Sequence, residues 1–342
     1  VRIAVVTGWL ALQRAENSTV WLFAEALRRG HEAWLVDFLS LGLDPTGRVT
    51  GTGVRPSRPG TSRADVVAAL RTGALRRERL DLSGFDVALL RHDPHDRHSR
   101  WGEKLGNPLG PFAHALERDG VRVINRPSTA DAWASGVALA CLPERLRPRT
   151  LVSRDEAEIR AFVADLGGPA VLKPLHGAGG AGVFRLEGPR DPNLASMVDT
   201  LAGLGYVVAQ ALVPEAADGD LRVVLWEGRP LDLAPGQPSV YRRVHRPDDF
   251  RNNVHAGGTR APAVLGDAER EVILRLGPAL AADGMALVGL DLAGGRVLEA
   301  NVYAPGGLHN LHALYGVDVA ALLLDRLEAG ARCGNTNGPR RH

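Results

Sequence analysis

The segment Val171-Leu172-Lys173-Pro174-Leu175-His176-Gly177-Ala178-Gly179-Gly180-Ala181-Gly182-Val183-Phe184-Arg185 carries more structural information than any other part of the chain. Its glycines spell G-x-G-x-x-G at Gly177, Gly179 and Gly182, with Gly180 between them. A dinucleotide-binding loop of that spacing needs a helix after the last glycine. Here the loop is followed by the apolar run Val183–Leu186 and then Glu187-Gly188-Pro189, a strand and a turn. The reading is therefore strand, glycine loop, strand, with Lys173 just ahead of the loop. Such a hairpin can fold over a triphosphate, because its N–H groups meet oxygens that no side chain approaches as closely. Lys173 would stand beside the α- and β-phosphates as a compact point charge. The plain alternative is an ordinary flexible hairpin, and the missing helix argues against a nicotinamide-dependent oxidoreductase.

The 342 residues are 45% hydrophobic and 23% charged, enough to bury a core and to exclude wholesale disorder. A net charge of +2 gives no argument for nucleic acid or an anionic membrane as partner. Cys141 and Cys333 form no metal or disulfide pattern, so a reducing, cytoplasmic setting is expected. No apolar run approaches the ~20 residues of a membrane span. Among the basic residues only Lys104 and Lys173 are lysine, which singles out Lys173 further.

A second informative stretch is Val288-Gly289-Leu290-Asp291, then Gly294-Gly295, then Val297-Leu298-Glu299-Ala300-Asn301. Two strands joined by the glycine turn make a hairpin. Glu299 and Asn301, two residues apart, face the same side, and Asp291 can meet them from the partner strand. Two carboxylates and an amide oxygen form a hard, all-oxygen set suited to Mg²⁺; a solvated polar sheet face is the alternative. Third, Arg243 and the run Phe250–Thr259, with Arg251, Asn253 and Gly257-Gly258, can clamp a transferring phosphoryl group and a developing oxyanion.

Along residues 1–124, strands at 3–6, 33–36, 85–90 and 121–124 alternate with helices at 19–29, 64–75 and 111–119, which implies a doubly wound parallel sheet. Asn17 or Ser18 is the expected N-cap of the first helix, and residues 41–62 read as loop. Residues 129–165 read as helices. Strands follow at 171–173, 183–186, 206–210, 222–226 and 230–233, and helices at 267–283 and 317–329. His92, His95 and His98 are too disrupted by Pro94 for a zinc site on one helix face.

These three segments together resemble the ATP-grasp superfamily, specifically bacterial glutathione synthetases. The resemblance runs from about residue 125 to 325. It is carried by NRP (125–127), TLVSRDEAEIRAF (150–162), VLKPLHGAGGAGVFRL (171–186), DPNL (191–194), AQALVPEAADGDLRVVLWEGRPL (209–231) and GLDLAGGRVLEANVYAPGGL (289–308). DFRNNVHAGGT (249–259) is similar to the related ligases that add glutamate to a ribosomal-protein tail. NSTVWLFAEALRRGHE (17–32) and RHDP (91–94) extend the likeness toward the N-terminus.

The resemblance implies an N-terminal α/β substrate domain (1–124), linker helices and a small α+β lid (125–214), an α+β catalytic part (215–330) and a tail (331–342). It implies an ADP-forming ligase that joins a carboxylate to an amine through an acyl phosphate, with ATP and two Mg²⁺ ions (Mn²⁺ able to substitute), acting as a homodimer or homotetramer. Lys173 and the loop Gly177, Gly179, Gly180 and Gly182 would hold the phosphates. Gln210, Ala211, Leu212 and Val213 would read adenine, Asp220 the ribose, and Arg222 would lie near the phosphates. Asp291, Glu299 and Asn301 would hold metal, and Arg243, Arg251, Asn253, Gly257 and Gly258 would face the transferred group. Asn17, Ser18, Arg91, Tyr303, Pro305, Gly306 and Gly307 would meet substrate.

Most of the departures fall where substrates bind. Glu16 stands where a lysine is common, Thr7-Gly8-Trp9 lacks the usual Asp-Pro, and Tyr303-Ala304-Pro305-Gly306-Gly307 lacks the hydroxyl residues usual directly before and after the proline; at the ATP site, Gly136 replaces an expected second lysine. They point to a substrate pair other than γ-glutamylcysteine and glycine. True glutathione synthesis, or an ATP-binding protein without catalysis, are the alternatives.

Overall fold

The computed structural model describes residues 1–334 except 9, 11–12, 58–61, 95–108, 178, 247–248, 251 and 253–257. The chain begins as the sequence predicts. The apolar run at its start is β1 (Arg2–Thr7), followed by α1 (Ser18–Arg28) and β2 (Glu32–Asp37). Next come β3 (Gly42–Leu43), β4 (Val49–Pro56), α2 (Arg63–Thr72), β5 (Leu75–Asp81), β6 (Val87–Leu90), α3 (Leu109–Arg118) and β7 (Arg122–Ile124). Strands β2-β1-β6-β7 run parallel. Ile3, Val5, Leu35 and Leu89 pack toward α1, while Ala4, Val6, Val36 and Leu90 pack toward α3. A sheet covered on both faces needs such uninterrupted apolar strands.

One margin departs from the expected all-parallel sheet. β4 pairs antiparallel with β2, β3 and β5, so the sheet is mixed. β3 and β4 lie within the stretch read as loop. Gly51 and Gly53 gave β4 its loop-like composition, yet they serve packing: a Cβ at Gly53 would stand 2.2 Å from Leu80 Cδ1. β5 reads Leu-Arg-Arg-Glu-Arg-Leu-Asp, a charged strand at a sheet edge, which hides it from a hydrophobicity pattern.

The middle of the chain holds α4 (Pro127–Ala134), α5 (Gly136–Ala140), β8 (Thr150–Ser153), α6 (Glu156–Leu166), β9 (Ala170–Pro174), β10 (Phe184–Leu186), α7 (Leu194–Ala202) and β11 (Val207–Ala211). The antiparallel order is β10-β9-β11-β8. Leu172 opposes Phe184, so the glycine loop does join two paired strands. Ile159, Val163, Leu194, Val198 and Leu201 close one face of this sheet. β8 was concealed in a stretch read as helical.

The remainder comprises β12 (Asp220–Trp226), β13 (Arg229–Pro230), β14 (Asp232–Ala234), β15 (Gln237–Pro238), β16 (Val240–Val244), β17 (Thr259–Pro262), α8 (Asp267–Ala282), β18 (Leu287–Ala293), β19 (Arg296–Asn301), α9 (Leu308–Tyr315) and α10 (Val319–Gly334). Its main sheet runs β17-β16-β12-β18-β19, all antiparallel. Asn125, just past β7, ties the first sheet to this one. Its Nδ2 donates to Leu287 O and Val302 O, both at 2.7 Å, and its Oδ1 accepts from Leu287 N at 2.8 Å. Among the described residues no helix is long and apolar enough to cross a membrane.

Candidate active site

A cavity opens between the second and third sheets. Lys173 reaches it from β9, Gly177 and Gly180 from the glycine loop, and Gln210–Val213 from the end of β11. Asp220, Arg243, Asp291 and Glu299 form its other wall. Gly179, Gly180 and Gly182 have φ of +65°, +80° and +70°, a left-handed path that glycine follows without strain.

Lys173 is half-buried and has no acid as a direct partner among the described residues. Its Nζ donates to Gln210 Oε1 at 3.3 Å and to Leu298 O at 3.2 Å. Burial pushes its pKa down, against the pull of Glu299 and Asp291. Gln210 therefore presents its side chain to Lys173 and, through Nε2, to Thr150 Oγ1 at 3.1 Å.

Three of the wall residues, Asp220, Arg243 and Asp291, form a row of charges with Arg222. Asp220 accepts two parallel bonds from Arg243, Nε to Oδ1 at 2.7 Å and Nη2 to Oδ2 at 2.6 Å. Arg243 Nη2 also stands 2.8 Å from Asp291 Oδ2. Arg222 pairs with both oxygens of Asp291, Nη2 to Oδ2 at 2.9 Å and Nε to Oδ1. Burial alone would push the Asp291 carboxyl up, but the two guanidiniums outweigh it and hold the group below the usual range. Glu299 moves the other way, raised by burial and by the Asp291 charge.

Asp291 and Glu299 are register partners on β18 and β19, and Asn301 Nδ2 donates to Asp291 Oδ2 at 3.2 Å. Three oxygen-bearing side chains thus share one sheet face, the donor chemistry that Mg²⁺ favours. They fit a metal, with Asp291 Oδ2 giving up one of its three donors to the ion.

A second focus lies at the carboxyl ends of β1 and β6. Arg91 is 6% exposed. Its Nη2 donates to Pro305 O at 3.0 Å and its Nε to Thr19 Oγ1 at 3.4 Å, while Nη1 has no hydrogen-bond partner. Burial lowers its pKa to about 10. Ser18 Oγ accepts from Leu308 N at 3.4 Å, so the N-termini of α1 and α9 meet beside this guanidinium. Asn17 occupies the N-cap position of α1 without a capping bond and instead donates to Gln13 Oε1 at 3.2 Å. Gly306 and Gly307 lead into α9, and a Cβ at Gly307 would stand 2.9 Å from Tyr241 Oη.

The structure does not gather every expected residue. Tyr303 donates its hydroxyl to Asp131. Gly258 immediately precedes β17. Trp9, His95, His98, Lys104, Arg251, Asn253, Gly257 and the end of the tail lie outside the described residues. Phe250 and Asn252, within the run read as a phosphoryl clamp but not singled out there, also line the cavity. Asn252 is buried; its Nδ2 donates to Ala216 O at 3.1 Å and its Oδ1 accepts from His245 N at 3.2 Å. Its place beside the chosen Asn253 was the available signal.

Models of the prokaryotic glutathione synthetase N-terminal domain and ATP-grasp domain match residues 2–130 and 138–316. The chain belongs to the prokaryotic glutathione synthetase family. The glutathione synthetase of Xanthomonas campestris pv. campestris is 32% identical over 331 residues, 96% of this chain and 98% of that protein. That of Vibrio cholerae serotype O1 is 30% identical, covering 96% and 97%. That of Bradyrhizobium diazoefficiens is 35% identical, covering 91% and 92%. In fold the chain is similar to the D-cycloserine synthetase DcsG (TM-score 0.62, 18% identity, 96% and 100% covered). It is also similar to the ATP-grasp ligase PsnB, complexed with a phosphomimetic variant of its minimal precursor, Mg and ADP (TM-score 0.60, 22% identity, 96% and 98% covered). As a family member it is an ATP-grasp carboxylate–amine ligase, an ADP-forming carbon–nitrogen ligase, and enzymes of this class use ATP with Mg²⁺.

Gly136, where the resemblance led us to expect a second lysine, packs its backbone on β11. A Cβ there would lie 2.8 Å from Val208 Cγ2. This member of the family presents Lys173 to the cavity without a lysine at that position.

Proposed function

We propose that the chain joins γ-glutamylcysteine to glycine at the expense of ATP, in the cytoplasm. The near-complete coverage by glutathione synthetases favours this pair over the different pair that the sequence departures suggested. The observation that carries the reading is Arg91, a buried guanidinium with one unbonded nitrogen and no acid partner among the described residues. It lies between two helix N-termini and one loop away from the metal-ligand hairpin. Such a place calls for a carboxylate, and γ-glutamylcysteine carries one at its glutamyl end.

Lys173 and the glycine-loop N–H groups would hold the ATP phosphates, and backbone groups at 210–213 the adenine edge. Mg²⁺ on Asp291, Glu299 and Asn301 would neutralise charge on the phosphate oxygens. The cysteinyl carboxylate attacks the γ-phosphorus, forming an acyl phosphate and releasing ADP. The glycine amine, having lost a proton, then attacks the acyl carbon, and phosphate leaves from the tetrahedral intermediate. Arg243 would face the oxyanion and the departing phosphate. The protein's contribution is positioning and charge stabilisation, with no side-chain nucleophile.

The second reading, another acid–amine pair, rests on the acceptor loop, whose only hydroxyl, on Tyr303, is held by Asp131. The test is ADP release and product mass with Mg-ATP, γ-glutamylcysteine and glycine, beside pools of other acids and amines. Glutathione formed faster than any other amide supports the first reading. A different amide, with glutathione slower, establishes the second.

A further inference from the structure

We propose that Asp220 is a positioning residue: it keeps the Arg243 guanidinium at the cavity wall while Asp291 exchanges an arginine for a metal ion. This rests on the ligase reading above. The chain of charges Asp220–Arg243–Asp291–Arg222 alternates in sign, and its members are 5%, 5%, 1% and 7% exposed. Asp220 and Arg243 are direct register partners on β12 and β16, and Asp291 opposes Arg222 on β18. The sheet therefore sets the pairing rather than the reach of flexible side chains.

Asp291 Oδ2 is crowded in the arrangement observed: it accepts from Arg222, Arg243 and Asn301 together, while Oδ1 accepts from Arg222. An ion that takes Oδ2 displaces one of these donors, and the charge of the ion selects a guanidinium. A buried cation stripped of its only counter-charge is costly, which would oppose metal entry. Asp220 removes that obstacle for Arg243. Both of its parallel bonds survive when Arg243 leaves Asp291, and the guanidinium stays beside the phosphate that is to be transferred. Both carboxylate oxygens of Asp220 are engaged by Arg243, so its main bonding is to that arginine rather than to the ribose that the family resemblance assigned it.

The test uses the full chain with Asp220→Asn, which keeps the shape and removes the charge, and Asp220→Glu, which keeps the charge and misaligns the pair. Three quantities are read: Mg-ADP affinity by calorimetry, Mn²⁺ affinity of the ADP complex by electron paramagnetic resonance, and kcat. In D220N, Arg243 depends on Asp291 alone and competes with the metal. Mn²⁺ binding should weaken about tenfold and kcat fall about 30-fold, as loss of a charged hydrogen-bond pair implies, with nucleotide affinity within about threefold. D220E should recover part of both losses. The proposal is overturned if D220N weakens nucleotide binding tenfold while Mn²⁺ affinity holds, the pattern of a ribose contact, or if none of the three moves. Should D220N not fold, D220E decides: weakened Mn²⁺ with unchanged nucleotide supports the proposal, and the reverse overturns it. The unaltered protein is measured first. Failure to bind Mg-ADP at that stage would overturn the ligase reading, and the proposal with it.

Discussion

Lys173→Met should make the nucleotide-free protein more stable and its nucleotide complex weaker. Lys173 is half-buried on β9, and its ammonium makes two long bonds to neutral oxygens, at 3.3 and 3.2 Å, with no ion pair among the described residues. A charge drawn out of water and so thinly compensated costs about 2 kcal/mol of desolvation. Methionine fills a similar volume without that cost. At about 2–4 °C per kcal/mol for a unit of 150–250 residues, the gain is a Tm about 4–8 °C higher. The nucleotide complex moves the other way. Losing a charge-assisted contact to phosphate removes about 3 kcal/mol, roughly two decades in Kd.

The sign with pH follows from the lowered pKa of Lys173. The folded protein favours the neutral amine, so stability is present above the unfolded lysine pKa and is lost as pH falls through the folded value. The Tm advantage of the variant should therefore be small near pH 10 and larger at pH 7. Scanning calorimetry at both pH values and titration with Mg-ADP measure the two effects. A variant less stable than the parent at pH 7, or one binding Mg-ADP within threefold of it, would refute the reasoning.

Arg91→Leu should raise KM for the acid substrate by about 100-fold, the loss of one buried charge-assisted contact, and leave Mg-ADP affinity unchanged by calorimetry. Glu299→Gln should weaken Mn²⁺ binding by at least about tenfold in the ADP complex. Because burial raises the Glu299 pKa, that carboxyl stabilises the fold below its unfolded pKa and ceases to as pH rises through the folded value. The Tm of Glu299→Gln should thus exceed the parent's at pH 8, and the difference should close near pH 4. Gly136→Ala should cost about 1–3 kcal/mol through the contact with Val208, read from urea unfolding, and Val208→Ala in the same chain should recover most of it.

The parts legible in the sequence were local. The turn Gly294-Gly295 and the apolar runs beside it announce the β18–β19 hairpin, and the missing helix after Gly182 separates this loop from a dinucleotide site. β4 and β5 stayed hidden because one relies on glycines for close packing and the other is an edge strand of arginines. The site's electrostatics were not legible either. Asp291 reads as a free ligand along the chain, and only the register of β12 against β16 and β18 brings Arg222 and Arg243 onto it. Likewise the bond from Arg91 to Pro305 O spans 214 residues of sequence, a contact that local patterns do not encode.

The most direct measurement follows oxygen. The chain is incubated with Mg-ATP, glycine and γ-glutamylcysteine labelled with ¹⁸O in its cysteinyl carboxylate, and phosphate and product are analysed by mass spectrometry. Attack of that carboxylate on the γ-phosphorus predicts ADP, glutathione, and a phosphate carrying one atom of the label. Unlabelled phosphate, AMP with pyrophosphate, or ATP turnover without an amide would contradict the account.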